Sequence, residues 1–159
     1  MLGTAWPVEK IKVTPSADAL LEELKTTDFS SEALVIENAF PNDLAMTYHK
    51  DSLTNIELTK TAPDELIYEI QSQSKQFVVF SEMYYPKGWH VTIDKEKADF
   101  FPINYVLRGL KVPHGNHTID FIFDPPVIKK GAYIRLITLL ILTAIISFFG
   151  YHRFKFKSN

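Results

Sequence analysis

The sequence predicts a mainly β protein, an antiparallel β-sandwich that is jelly-roll-like, with one short N-terminal helix and a C-terminal transmembrane helix. Three observations predict this fold. Between residues 34 and 123, apolar and polar residues alternate in short runs, which is typical of half-buried strands. Turn-forming residues such as Pro, Gly, Asn and Asp separate those runs. After residue 131 the chain is apolar over a length that suits a bilayer.

The N-terminal segment, residues 1–30, is expected to form a strand and one helix. Ser16 is a plausible N-cap, and Asp18 lies where a negative charge favours the positive end of the helix dipole. The apolar stripe of this helix comprises Leu20, Leu21 and Leu24. The pattern therefore predicts a short amphipathic helix that ends near Lys25.

The central region, residues 31–128, is expected to form the β-sandwich domain. Its predicted strands are residues 34–37, 56–61, 65–71, 76–82, 90–94, 104–112 and 117–123. These runs are rich in β-branched and aromatic side chains. Predicted turns lie at residues 62–64, 85–88, 94–97 and 113–116. Because no helices alternate with the strands, the pattern favours two packed antiparallel sheets over a parallel α/β sheet.

The C-terminal region, residues 129–159, is predicted to be a transmembrane helix with a short basic tail. Residues 132–151 contain a single charge, Arg135, and as a helix they span about 30 Å. The expected anchor residues are Tyr133, Arg135, Leu136, Leu140, Ile145, Phe149 and Tyr151. Tyrosines suit the membrane interfaces, and an arginine near a helix end extends to the headgroups. The alternative is a core helix or strand of the β domain.

The charges divide the chain into two different parts. Residues 1–128 hold 11 basic and all 19 acidic residues, a net charge of −8, whereas the last 31 residues hold six basic residues and no acid. An acidic body argues against nucleic acid as a partner, because nucleic-acid binding requires clustered Lys and Arg. The absence of cysteine excludes disulfides, zinc-thiolate sites and iron–sulfur clusters.

The orientation of the predicted helix is open. The basic residues on its two flanks are nearly equal in number, so the positive-inside rule does not decide between the two orientations. The first ten residues contain no export signal. If the chain is complete, we expect a tail-anchored protein with a cytoplasmic body. If it is the last piece of a longer membrane protein, the body can lie outside.

One set of side chains suggests contact with carbohydrate. The candidate ligand-binding residues are Tyr84, Tyr85, Trp89, Asn104 and Arg108. Aromatic rings stack on the apolar faces of sugars, and the amide and guanidinium groups donate hydrogen bonds to hydroxyl or phosphate oxygens. The alternative is that Trp89 and one tyrosine pack in the core while Arg108 pairs with Glu82 or with a backbone carbonyl.

The chain offers no motif for catalysis, for a cofactor or for a metal. It lacks a Gly-rich phosphate loop, a Gly-x-Ser-x-Gly elbow and a His-Glu-x-x-His sequence. His114 and His117 would need a third ligand, and the nearest candidate, Asp120, lies on the opposite strand face from His117. Two carboxylates across a cleft would be needed for glycoside hydrolysis, and the candidates near turns are Glu82, Asp94, Glu96 and Asp99. Sequence gives no sign that they converge. We expect no catalytic residue, no cofactor and no metal.

A series of short sequence motifs occurs in order between residues 77 and 126: VVFSEMYYPKGW, ID, NYVLR, VPHGNHTIDFIFDPP. Together with LGTAW at residues 2–6, this series resembles the C-terminal region of the YfhO family of bacterial polytopic membrane proteins. Lys95 stands where that family usually has glycine. The resemblance implies that this chain is the tail end of a longer membrane protein, similar to glycosyltransferases that use polyprenyl-phosphate sugars and linked to cell-wall polymers such as lipoteichoic acid. It also implies that the acidic catalytic residues lie in the upstream membrane region.

We therefore expect a non-catalytic accessory domain in the bacterial cell (inner) membrane, with the β domain on the extracytoplasmic face. Its expected partners are the lipid bilayer, the upstream transmembrane region, and a cell-envelope polysaccharide or lipid-linked sugar. The sequence leaves two alternative functions open. One is a membrane-anchored carbohydrate-binding module with its own affinity, and the other is a tail-anchored cytoplasmic interaction protein.

Overall fold

The computed structural model describes residues 3–39, 45–49, 51 and 53–157, with side chains described at these positions except 129 and those from 149 onward. The chain divides into two compact units, Met1–Phe123 and Asp124–Asn159. Each unit is described by itself below. The first contains all the strands of the described residues, and the second is a single helix.

Eleven strands and two α-helices are present in the described part of the chain. The strands are β1 (Ala5–Val8), β2 (Lys10–Thr14), β3 (Glu32–Ile36), β4 (Asn55–Ala62), β5 (Glu65–Ser72), β6 (Gln76–Met83), β7 (Trp89–Ile93), β8 (Glu96–Ala98), β9 (Phe100–Ile103), β10 (Leu107–Val112) and β11 (Gly115–Phe123). The helices are α1 (Ala17–Glu23) and α2 (Pro126–Lys157), and a 3-10 turn covers Glu37–Ala39.

Two antiparallel sheets form the main body. A four-stranded sheet has the order β1-β6-β10-β9, and a five-stranded sheet has the order β4-β5-β11-β7-β8. The mainly β, antiparallel prediction is confirmed. Each of the seven predicted runs overlaps a strand. The N-terminal segment, where one strand was expected, contains two, β1 and β2, and strands β8 and β9 were not predicted. Strand β8 has three residues and β9 has four, too few for a period of two to be recognised.

The main core lies between the two sheets. It draws buried side chains from both of them, namely Leu66, Tyr68, Ile70, Val78, Phe80, Val91, Leu110, Val112, Ile119 and Phe121. Three rings meet edge to face at its centre. The Phe80 ring centroid lies 4.9 Å from that of Tyr68 and 5.0 Å from that of Phe121. Such pairs add stabilisation beyond the apolar area that they bury.

A third layer was not predicted. Strands β2 and β3 pair in parallel, with α1 between them in sequence, which corrects the expectation that all pairing is antiparallel. The layer packs on the other face of the four-stranded sheet and forms a second core with Val8, Ile11, Ala33, Val35, Phe77, Val79 and Ile103. Because β6 is covered on both faces, residues 76–80 are all buried and their sequence does not alternate.

Helix α1 begins as predicted. The Ser16 hydroxyl accepts a hydrogen bond from the Ala19 backbone N–H at 3.2 Å, so it caps the helix, and Asp18 lies in the first turn. The predicted apolar stripe is only partly correct. Leu20 is buried, but Leu21 is 41% exposed. The helix therefore packs against the rest of the third layer chiefly through Leu20.

Helix α2 is long and apolar enough to cross a membrane over Pro126–Phe148. It begins at Pro126, where a proline without a backbone N–H is well tolerated. No residue described in this stretch is buried, including the predicted anchors Tyr133, Arg135, Leu136, Leu140 and Ile145. The anchors Phe149 and Tyr151 lie outside the described side chains. An apolar surface on every side of the helix suits lipid rather than water.

Two threonine hydroxyls within α2 are satisfied by the helix backbone. The Thr138 hydroxyl donates to the Ile134 carbonyl, and the Thr143 hydroxyl donates to the Leu140 carbonyl, both at 2.9 Å. These bonds remove the cost of placing hydroxyl groups in hydrocarbon. The two threonines are thus compatible with a membrane span.

Candidate functional site

A groove lined by aromatic and polar side chains lies at one edge of the sandwich, where β8 and β9 are the last strands of their sheets. Its volume is about 360 Å³. We call it the aromatic groove and define it by Tyr84, Trp89, His90, Lys97, Asp99 and Phe100. The groove thus combines three ring side chains with three polar side chains, among which His90, Lys97 and Asp99 are exposed.

The connection between β6 and β7 shapes one wall of this groove. The backbone N–H of Trp89 donates to the Tyr85 carbonyl at 3.2 Å, which closes a tight turn. Gly88 is buried against the Phe123 ring, and a Cβ at this position would lie 2.2 Å from a ring carbon. Only glycine fits there, so the sequence Pro-Lys-Gly-Trp sets the position of the tryptophan.

Arg108 lies beneath Trp89 and is 2% exposed. Its guanidinium carbon is 4.4 Å from the centroid of the Trp89 ring and 5.0 Å from that of Phe121, and its Nε donates to the Met83 carbonyl at 2.8 Å. Burial lowers the pKa of this guanidinium, while the negative charge of Glu82 opposes the shift. Arg108 therefore holds the indole ring by a cation–π contact from within the domain.

The structure brings two of the five predicted carbohydrate contacts into the groove, Tyr84 and Trp89. Tyr85 is 48% exposed and packs beside them on the Phe123 ring, with ring centroids 6.4 Å apart. Asn104 is elsewhere: its side-chain Oδ1 accepts from the Leu34 N–H and its own N–H donates to the Leu34 carbonyl, both at 2.8 Å. These bonds fasten the β9–β10 turn to β3.

Four groove residues were not identified from the sequence as sugar contacts: His90, Lys97, Asp99 and Phe100. His90 and Lys97 lie on the two strands of the β7–β8 hairpin, and Asp99 and Phe100 follow it in the chain. The two-residue turn of this hairpin has positive φ at Asp94 (52°) and Lys95 (71°). The turn pairs Ile93 with Glu96 and so returns β8 alongside β7. Recognition of residues 89–98 as a tight hairpin would have placed Lys97 near the aromatic residues.

Two of the four carboxylates near turns, Glu82 and Asp94, have hydrogen-bond partners of their own. Glu82 Oε1 accepts a hydrogen bond from the Tyr68 hydroxyl at 2.7 Å, and burial together with this bond raises the pKa of Tyr68. Asp94 binds His117, as described next. Among the four carboxylates considered, only Asp99 lines the aromatic groove.

An Asp–His pair fixes one end of strand β11. Asp94 Oδ2 lies 2.6 Å from His117 Nδ1, and Asp94 Oδ1 accepts from the Thr118 N–H at 2.9 Å. His117 Nε2 lies 3.0 Å from the His114 carbonyl. Hydrogen bonding to Asp94 raises the pKa of His117 and lowers the pKa of Asp94. Both ring nitrogens are thus engaged, and the described residues contain no cluster of three His, Asp or Glu side chains that could hold a metal.

The raised pKa of His117 predicts a pH-dependent stability. The folded state binds a proton more tightly than the unfolded state, so the stabilisation is full below the ordinary histidine pKa of 6.5 and is lost as the pH rises through the raised value. We expect the thermal unfolding midpoint of the full-length protein in detergent to fall between about pH 6 and pH 8. His117→Gln should flatten this slope, and the matched variant His90→Gln should preserve it. An unchanged slope in His117→Gln would contradict the assignment.

Comparison with known proteins identifies the family of this chain. Residues 24–135, more than half of the chain, match the family model described as bacterial membrane protein YfhO. No curated protein and no solved structure matches the chain. The match begins directly after α1, covers strands β3 to β11 and includes the start of α2, and it confirms the resemblance carried by the motifs between residues 77 and 126. The chain therefore belongs to the YfhO family of bacterial membrane proteins.

Proposed function

We propose that the chain is the extracytoplasmic, membrane-anchored end of a longer YfhO-type protein, and that its β unit holds a cell-envelope polysaccharide or a lipid-linked sugar without catalysing a reaction. In this role it is accessory to sugar transfer carried out by the upstream membrane region. The observation that carries the proposal is the aromatic groove, in which ring and polar side chains share one open surface.

The chemistry of the groove suits a glycan. The rings of Tyr84 and Trp89 can cover the apolar face of a sugar, although Arg108 already occupies one face of the indole. Lys97 and His90 can donate to hydroxyl or phosphate oxygens, and Asp99 can accept from hydroxyl groups. A volume of about 360 Å³ is at the small end of ligand sites, so the groove suits a short stretch of a polymer.

The position of the groove in the fold supports a ligand attached to the membrane. Trp89 pairs directly with Phe123, the last residue of β11, and α2 begins at Pro126. The chain enters the β unit at the same end of the sandwich, because the Ser81 N–H donates to the Thr4 carbonyl. A domain whose entry and exit share one end fits between an upstream membrane region and the final span.

A binding role agrees better with the carboxylates than a hydrolytic role does. Glycoside hydrolysis requires two carboxyl groups that flank the scissile bond. In the part of the chain that the structure describes, Asp99 is the single carboxylate that lines the groove. The groove therefore supplies contacts for orientation rather than an acid and a base for cleavage.

The proposal is tested by measuring binding of purified lipoteichoic acid to the full-length protein in nanodiscs. Tyr84→Ala and Trp89→Ala should each weaken binding by about three- to tenfold, because ring stacking contributes about 0.5–1.5 kcal/mol. Lys97→Glu should also weaken binding, because it places a negative charge beside the phosphates of the polymer. A thermal melt of each variant shows whether the fold survives.

The matched control is Lys111→Glu, which makes the same charge change on the exposed face of β10, outside the groove. Lys97→Glu alters only an exposed side chain, so it remains informative even where Trp89→Ala unfolds the domain. Equal binding by the Lys97 and Lys111 variants, or no binding by the unmodified protein, would refute the groove as a glycan site.

A further inference from the structure

Four large apolar side chains are exposed together at one end of the β unit. They are Met83 (67% exposed), Tyr85 (48%), Tyr105 (50%) and Val106 (44%). We call this set the apolar tip. The residues belong to two connections, the one between β6 and β7 and the one between β9 and β10. Exposed apolar groups in one patch indicate a surface that is covered in the working protein.

Backbone pairing holds the two connections side by side. Met83 pairs with Leu107 where β6 meets β10, and the Tyr84 N–H donates to the Val106 carbonyl at 2.7 Å. The β9–β10 turn is fastened in addition through Asn104 to β3. The apolar tip is therefore a built surface at the end of two adjacent strands, not a pair of independent loops.

Chain connectivity limits how far this tip can be from the membrane. Tyr85 packs on Phe123, and only Asp124 and Pro125 separate Phe123 from α2, a reach of about 10 Å. The uninterrupted apolar run begins at Leu136, after Arg135, about 15 Å further along the helix. The tip is thus attached within roughly 25 Å of chain from the hydrocarbon edge, and the intervening headgroup layer is itself about 5–8 Å thick.

We propose that the apolar tip lies on the lipid headgroups of the membrane that α2 crosses. Tyr85 and Tyr105 have the amphipathic rings that favour the interface, while Met83 and Val106 can enter the acyl boundary. Lys87, exposed in the same β6–β7 connection, is placed to contact anionic headgroups. This inference rests on membrane anchoring by α2 and not on sugar binding, so loss of glycan binding would leave it unchanged.

The chain contains no cysteine, so single cysteines can carry a spin label at chosen sites. We would label Met83→Cys and Tyr105→Cys in the full-length protein in nanodiscs of phosphatidylethanolamine and phosphatidylglycerol. The matched control is Gln73→Cys, exposed in the β5–β6 turn at the opposite end of the sandwich. Collision with oxygen reports lipid, and collision with a water-soluble nickel chelate reports water.

At both tip sites we expect an oxygen-to-nickel collision ratio several-fold higher than at Gln73→Cys. The same ratio at all three sites would overturn the proposal, because the tip would then lie in water. Exclusion of both reagents from the two tip sites would also overturn it, since a protein surface, from a second copy or from another membrane segment, would then cover the tip. Each label site is read separately, and a thermal melt confirms that both variants are folded.

Discussion

When the 159-residue chain is expressed by itself, its double variant Leu140→Asp/Ile145→Asp should fail to remain in the membrane. Both residues lie in the apolar part of α2 and are exposed on its surface. Replacing an aliphatic side chain by aspartate near the centre of a span costs about 3–4 kcal/mol, so two such changes outweigh the roughly 5 kcal/mol that ten aliphatic and aromatic residues contribute. The measurement is the fraction of protein that stays with membranes after alkaline carbonate extraction.

The matched control for this prediction is Leu140→Ala/Ile145→Ala, which shortens the same side chains without adding charge. We expect it to remain in the membrane fraction. Retention of the aspartate variant at the same level as the alanine variant would show that α2 is not the anchor.

The variant Gly109→Ala should destabilise the β unit by about 2–3 kcal/mol, because it overfills the second core. A Cβ at this position would lie 2.4 Å from Ile103 Cγ1 and 2.5 Å from Phe77 Cζ. Ile103 and Phe77 are both buried, so neither can move aside cheaply. We expect the thermal unfolding midpoint in detergent to fall by about 10 °C.

Gly131→Ala is the control for this stability change, because an added methyl group at Gly131 meets nothing within 4 Å. Alanine also favours a helix over glycine. The control should therefore match or slightly exceed the unmodified protein in stability. A midpoint for Gly109→Ala equal to that of the control would contradict the close packing of Gly109 against Ile103 and Phe77.

Much of the fold follows from local patterns. The alternation in β4, β5 and β11, the cap at Ser16 and the apolar length of α2 are each visible in a short window of sequence. The third layer was missed because parallel pairing of β2 with β3 depends on a contact between separate segments. One local signal of this layer was present. The unbroken run Phe77–Phe80 indicates a strand covered on both faces.

The candidate site was predicted only where its residues lie close together in the sequence. Tyr84 and Trp89 carry large rings beside a turn, which the sequence shows directly. The contact between Arg108 and Trp89 joins residues from different sheets, so only the fold reveals it. Asn104 was expected to donate to a ligand, but its φ of 49° identifies a turn residue, a conformation that asparagine adopts more readily than most residues.

Labelling of Gln73→Cys with a membrane-impermeant maleimide in intact spheroplasts tests the placement of the β unit most directly. Because the 159-residue chain lacks cysteine, the signal from this chain comes from this site alone. Our account predicts that Gln73→Cys is labelled without lysis, whereas Ser158→Cys, beyond the apolar stretch, is labelled only after permeabilisation. The reverse pattern would place the β unit in the cytoplasm and contradict an extracytoplasmic, glycan-holding domain.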